Sequence, residues 1–156
     1  MGTGTGRRSD ENLRAEYLLI QNQYEAFDQR ALSFKALSTP LLGAGLAVGF
    51  KESSLAILLA TVIVAASLWL LEGIWKMFQY CLRARIETLE AWHRGVGEQE
   101  IAPFQIYTSW GESWDRLYSP RNLWPVLREP FVYLPYLPIC ILGVMGSAFF
   151  LAARFI

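Results

Sequence analysis

Three uncharged apolar runs, Ala36 to Phe50, Leu55 to Leu71 and Phe131 to Ala153, constrain this 156-residue chain more than any motif it carries. Stretches of that length and apolarity are the mark of helices that cross a bilayer. The basic residues sharpen the reading. Arg7, Arg8, Arg14, Arg30 and Lys35 precede the first run, and Lys76, Arg83, Arg85, Arg94, Arg116, Arg121 and Arg128 lie between the second and third, leaving Lys51 and Arg154 on the other side. Twelve against two places the N-terminus in the cytoplasm and the C-terminus outside, because lysine and arginine in short loops stay cytoplasmic. The expected localisation is a membrane, as a multi-pass protein in contact with membrane lipid.

The expected fold is therefore all-α and integral to the membrane, with three transmembrane helices and a long cytosolic antiparallel helix pair continuing the first two. In segments, residues 1–11 read as a disordered tail, 12–35 as a cytosolic heptad helix, 36–50, 54–74 and 131–153 as spans, 75–95 as a cytosolic extension of the second span, and 103–118 as an amphipathic interfacial helix. The first span is short, since fifteen residues at about 1.5 Å each reach only about 22 Å. Lys35 and Lys51 can snorkel to the two interfaces, and only Lys51, Glu52 and Ser53 separate it from the second span, which suits a tight hairpin. Pro135 and Pro138 should kink the first half of the third span. A secretory signal does not fit, because some thirty-five residues of acid-containing sequence precede the first run. Cys81 and Cys140 fall in a cytosolic helix and an apolar run, so no disulfide is expected.

Outside the spans, Leu13, Tyr17, Ile20, Tyr24, Phe27, Ala31 and Phe34 form a heptad stripe, and Trp75, Phe78, Leu82, Ile86, Leu89 and Trp92 continue an apolar face until Gly95 and Gly97 end it. These two faces can pack on each other, or they can associate neighbouring copies of the chain. Gly45 to Gly49 and Ala56 to Ala60 likewise permit close backbone approach within the hairpin or between copies. Phe104, Tyr107, Trp110, Trp114 and Leu117 lie at helical spacing, an aromatic face suited to the inner leaflet, to packing beneath the bundle, or to a soluble partner. The proline-spaced stretch from Pro120 to Pro130 reads as a connector.

Chemistry is harder to find. His93, the one histidine, has no cysteine or carboxylate cluster around it at metal-ligand spacing and reads as a solvated helix end. The opening GTGTG lacks the strand before it and the lysine after it that a phosphate loop needs. Glu72 stands at the inner end of a span, where a charge is costly, and is a candidate with Lys76 for a pore mouth; the plainer reading is a helical ion pair between the two. No base and orienting acid accompany the serines and threonines, and arginines alternate with acids in the cytosolic part. No enzyme, cofactor, metal or nucleic-acid partner is expected.

The segments EYLLIQNQYEAFDQRAL, WLLEGIWKMFQYCLRARIETLE and PFQIYTSW resemble a group of small uncharacterised bacterial inner-membrane proteins, over most of the chain from Glu16 to about Trp114. In architecture, a helix followed by a two-span hairpin and a cytosolic helical extension is similar to the SLATT class of membrane effectors, associated with nucleotide-second-messenger antiviral systems; the third span is an addition to that plan. The resemblance implies oligomerisation, and membrane permeabilisation when a partner signals. The functional expectation is a homo-oligomeric inner-membrane effector or pore, in a bacterial defence system. The alternative is a membrane-anchored adaptor that recruits a soluble cytosolic partner through its aromatic surface.

Overall fold

The computed structural model describes residues 3–96 and 101–153, which are 86% helical with no strand among them. In chain order the helices are α1 (Thr3–Lys51), α2 (Leu55–Tyr80), α3 (Arg83–His93), α4 (Ile106–Leu117), α5 (Pro120–Leu127), α6 (Pro130–Tyr133) and α7 (Tyr136–Ala152). The stretches Ser9–Lys51 and Leu55–His93 are long and apolar enough to cross a membrane, whereas Tyr136–Ala152 is a shorter apolar helix. The chain divides into two compact units, one of Met1–Gln29 with Trp75–Asn122 and one of Arg30–Ile74 with Leu123–Ile156. They are called here the polar and the apolar unit.

In the polar unit the heptad stripe is used inside the chain. Leu13 and Ile20 of α1 are buried against Leu82, Ile86 and Leu89, with Tyr17, Tyr24, Phe27, Trp92, Ile106 and Trp110 packed around them. Trp75 meets Phe27 edge-on at 6.1 Å. Phe34, the last member of the stripe, is exposed. Gly95 ends α3 as expected: it takes a φ of 70°, and the Val96 N–H reaches back to the Ala91 carbonyl at 2.9 Å. Both features follow from a left-handed residue that only glycine adopts without strain.

In the apolar unit the usual placement of side chains is inverted. A narrow core of Leu42, Leu46, Leu58, Ala65, Tyr136 and Ile139 joins α1, α2 and α7, while Leu37, Leu41, Ile63, Met145 and Phe149 are 63–72% exposed. Only 17% and 22% of the most apolar stretches of the two long helices is buried within the chain. The helices approach closely at glycines. A Cβ on Gly49 would lie 2.6 Å from Leu58, and one on Gly143 or Gly146 would meet Val62 or the Phe50 ring. Gly45 and Gly49 thus serve contacts within the chain, whereas Ala56 and Ala60 are exposed. Ser53, at φ 48°, makes the turn between α1 and α2, and the Ser54 hydroxyl accepts the Ile57 N–H at 3.4 Å to cap α2.

Several boundaries differ from the sequence expectation. Helix α1 begins at Thr3, ahead of Asn12, because no proline stands in its way and extending an existing helix fixes only one residue per hydrogen bond gained. Met1 and Gly2 lie outside the described residues, as do Gly97 and Arg154. The second long helix is interrupted at Cys81 and Leu82, where the Leu82 N–H bonds Gln79 three residues back. The third apolar run is divided into α6 and α7, with Leu134 extended at ψ 132° as a residue before proline prefers. Pro138 does no such damage, since as the third residue of α7 its missing N–H would have had no partner. The expected connector from Pro120 is itself helical, with proline at its favoured first position.

Replacing Gly146 by leucine should lower the thermal midpoint in mild detergent, since overpacking at such a contact costs about 1–3 kcal/mol. Leucine at Gly43, where a Cβ meets nothing within 4 Å, should leave it unchanged or raise it through better helix propensity. Scanning fluorimetry of both variants checks this; equal losses would contradict the packing described.

Candidate functional site

Two polar clusters stand out, one in each unit. In the polar unit, α1 presents Leu13, Glu16, Tyr17 and Ile20 at the spacing of one helical face, and the segment from Leu82 presents Leu82, Arg85, Ile86 and Leu89 at the same spacing. Glu16 and Arg85 therefore occupy equivalent slots in two apolar faces that pack together. They meet there as a forked ion pair, Arg85 Nε donating to Glu16 Oε1 at 2.8 Å and Nη2 to Oε2 at 2.9 Å. Glu16 is 0% and Arg85 7% exposed.

The capacity left over holds the next segment of chain. Arg85 Nη2 also donates to the Ala102 carbonyl at 2.7 Å, and the Phe104 N–H donates to Glu16 Oε2 at 2.7 Å. Residues 102–104 are thus fastened at both ends to one buried charge pair. Phe104 is held at φ 61°, in the left-handed region, a conformation that costs a non-glycine residue about 1–3 kcal/mol and persists only where surroundings enforce it. Phe104 is 52% exposed, and Tyr107, three residues further on, is 86% exposed.

The four aromatic residues expected at a membrane or partner surface accordingly separate. Trp110 and Trp114 turn inward, stacked on each other at 5.6 Å and 6°, and both lie against Phe78, whose carbonyl accepts the Trp110 indole N–H at 3.1 Å. Tyr118 stacks on Trp114 at 4.3 Å. Phe104 and Tyr107 face out. Elsewhere in the polar unit, Lys76 pairs with Asp28 at 2.8 Å and Gln79 donates to the Tyr24 carbonyl, while His93, at the end of α3, is exposed and sits edge-on to Tyr17 at 5.8 Å.

In the apolar unit, Lys35 is the hub. Its ammonium lies 2.6 Å from Glu72 Oε1, donates to the Phe131 carbonyl, and sits 4.1 Å from the centre of the Phe131 ring. Ser38 and the Tyr136 hydroxyl are buried with Glu72 in the same cluster. The long-range partners, Lys35 for Glu72 and Asp28 for Lys76, were not visible from helical spacing alone. Glu72 is 8% exposed and is paired with Lys35 within the apolar unit. Among the described residues no three of His, Cys, Asp and Glu gather as a metal site.

Cys81 and Cys140 are free thiols, and Cys81 is fully buried in the polar unit, where loss of solvation pushes its thiol pKa up. In a Cys140→Ala background, Cys81 should therefore resist maleimide while the unit is folded. Arg85→Met strands the Glu16 carboxylate and removes about 3–5 kcal/mol, which should speed labelling of Cys81 roughly a hundred- to several-thousand-fold. Adding Glu16→Leu should restore most of the protection, because an apolar pair can fill the same slots. Labelling of Arg85→Met at the parental rate would show that the pair does not hold the unit. No family model, curated protein or solved structure matches the chain, so its reading rests on these clusters.

Proposed function

We propose that this chain is a membrane-anchored adaptor: three helical segments cross the inner membrane with the N-terminus cytoplasmic and the C-terminus outside, and the polar unit recruits a soluble protein through Phe104 and Tyr107. The observation that carries the reading is the strained, outward-facing Phe104, fastened by a buried ion pair beside a tyrosine that is 86% exposed. Rigid aromatic side chains lose little entropy on binding and are enriched where proteins dock. Backbone strain of this kind gathers at functional sites.

The membrane part is supported by the outward apolar side chains of α1, α2 and α7 and by the twelve-to-two distribution of basic residues. Helix α7 alone, at 17 residues or about 25 Å, falls short of about 30 Å of hydrocarbon, and the third crossing needs α6 and the extended Leu134 as well.

A homo-oligomeric effector or pore is the second reading, favoured by the same exposed aromatic pair, which another copy of the chain could cover. It ranks lower because Leu13 and Ile20 of the heptad stripe are already buried within the chain. A water-filled pore would also have little to line it: Thr61, Glu72 and Ser147 are buried, and the large outward side chains of the apolar unit are hydrophobic.

A photo-crosslinking benzoylphenylalanine in place of Tyr107, activated in native membranes, tests the two readings, with the same group at exposed Thr88 as control. The adaptor predicts an adduct with a different protein at position 107 and none at 88. An adduct of the chain with itself would overturn the adaptor in favour of the oligomer, and no adduct at 107 would overturn both.

A further inference from the structure

Helix α5 has two unlike sides. On the side packed within the apolar unit, Val126 is buried, the Leu127 carbonyl accepts the Trp69 indole N–H at 2.9 Å, and the Leu127 side chain lies where a Cβ on Gly73 would come within 2.5 Å of it. The helix is thus seated on α2 at Trp69 and Gly73. That is where the uncharged run of α2 gives way to Glu72 and Lys76. On its other side Trp124 is 53% exposed, Pro125 and Arg128 are exposed as well, and the Arg128 guanidinium lies 4.7 Å from the centre of the Trp124 ring.

We infer that the Trp124–Arg128 face of α5 binds the phosphate of an anionic phospholipid headgroup in the cytoplasmic leaflet. The charge is complementary: residues 123–128 contain Arg128 and no carboxylate, and the first acid that follows, Glu129, is the half-buried N-cap of α6. A guanidinium lying on an indole keeps its N–H edges directed outward, where they can fork onto phosphate oxygens. The level at which α5 is seated, at the end of an apolar run, and an exposed tryptophan at that level both select a lipid headgroup over a free phosphate ion.

This rests on the membrane-crossing part of the proposed function, and the test separates the two. Native mass spectrometry of the full chain in non-ionic detergent is titrated with phosphatidylglycerol and with phosphatidylcholine. The wild type should retain phosphatidylglycerol at several-fold lower concentration, and Arg128→Gln should weaken that retention about fivefold while phosphatidylcholine is unaffected and the thermal midpoint is unchanged. Trp124→Ala should weaken it as well. Arg83→Gln, at an arginine 58% exposed in the polar unit, should keep the preference. Equal retention of the two lipids by wild type, or an undiminished preference in Arg128→Gln, overturns the inference, as does displacement of the lipid by millimolar inorganic phosphate. A chain that stays monodisperse without detergent and retains neither lipid fails the membrane-crossing reading instead.

Discussion

The forked pair between Glu16 and Arg85 is the interaction on which the polar unit depends. Removing two such charges from water costs several kcal/mol each, and their attraction repays this only when geometry is good and the remaining hydrogen-bonding capacity is used. Here the spare capacity goes to the Ala102 carbonyl and the Phe104 N–H, so the pair also fixes where the chain runs after α3. The gain is chiefly in specificity. Leucines and isoleucines of two apolar faces tolerate several registers, whereas Glu16 and Arg85 are satisfied in only one, much as a single buried polar residue sets the register of a coiled coil. Phe104 and Tyr107 inherit their placement from that register.

The apolar unit applies a related rule to different surroundings. Its polar side chains, Lys35, Ser38, Glu72 and Tyr136, are collected inside, and its large hydrophobic ones point out, an arrangement that water would oppose and lipid would favour. One ammonium group, that of Lys35, joins α1 to Glu72 of α2 and to Phe131 of α6. On the membrane reading proposed above there is little hydrophobic force to draw these helices together, and close approach at Gly49, Gly143 and Gly146 supplies contact in its place.

Much of this was legible in the residues. Leu13 and Ile20 recur at heptad spacing and are buried; Gly95 ends α3; the run from Leu55 reads as one apolar helix and is one. The all-helical fold follows from those patterns. Glu16 is not among the apolar residues that define the stripe, yet it sits three residues after Leu13 and four before Ile20, on the buried face. Arg85 holds the matching place between Leu82 and Leu89, and opposite charges in the same slot of two apolar faces are the signal that identifies the pair in advance. The Lys35–Glu72 contact has no such signal, since it joins residues 37 apart by an approach that only the tertiary structure defines. Nor does spacing reveal that Trp110 and Trp114 turn inward while Tyr107 does not: the aromatic face is wider than the surface α4 buries, and Phe78 decides which part is covered.

The most direct test of the account is amide hydrogen exchange across residues 101–107 in the intact protein. A connecting segment with exposed side chains would ordinarily exchange quickly. If the buried pair holds it, the Phe104 N–H, donated to Glu16 Oε2 at 2.7 Å, should exchange as slowly as the amides of α3 and lose that protection in Arg85→Met. Rapid exchange at Phe104 in the wild type would contradict the clamp, and with it the claim that Phe104 and Tyr107 form a prearranged docking surface.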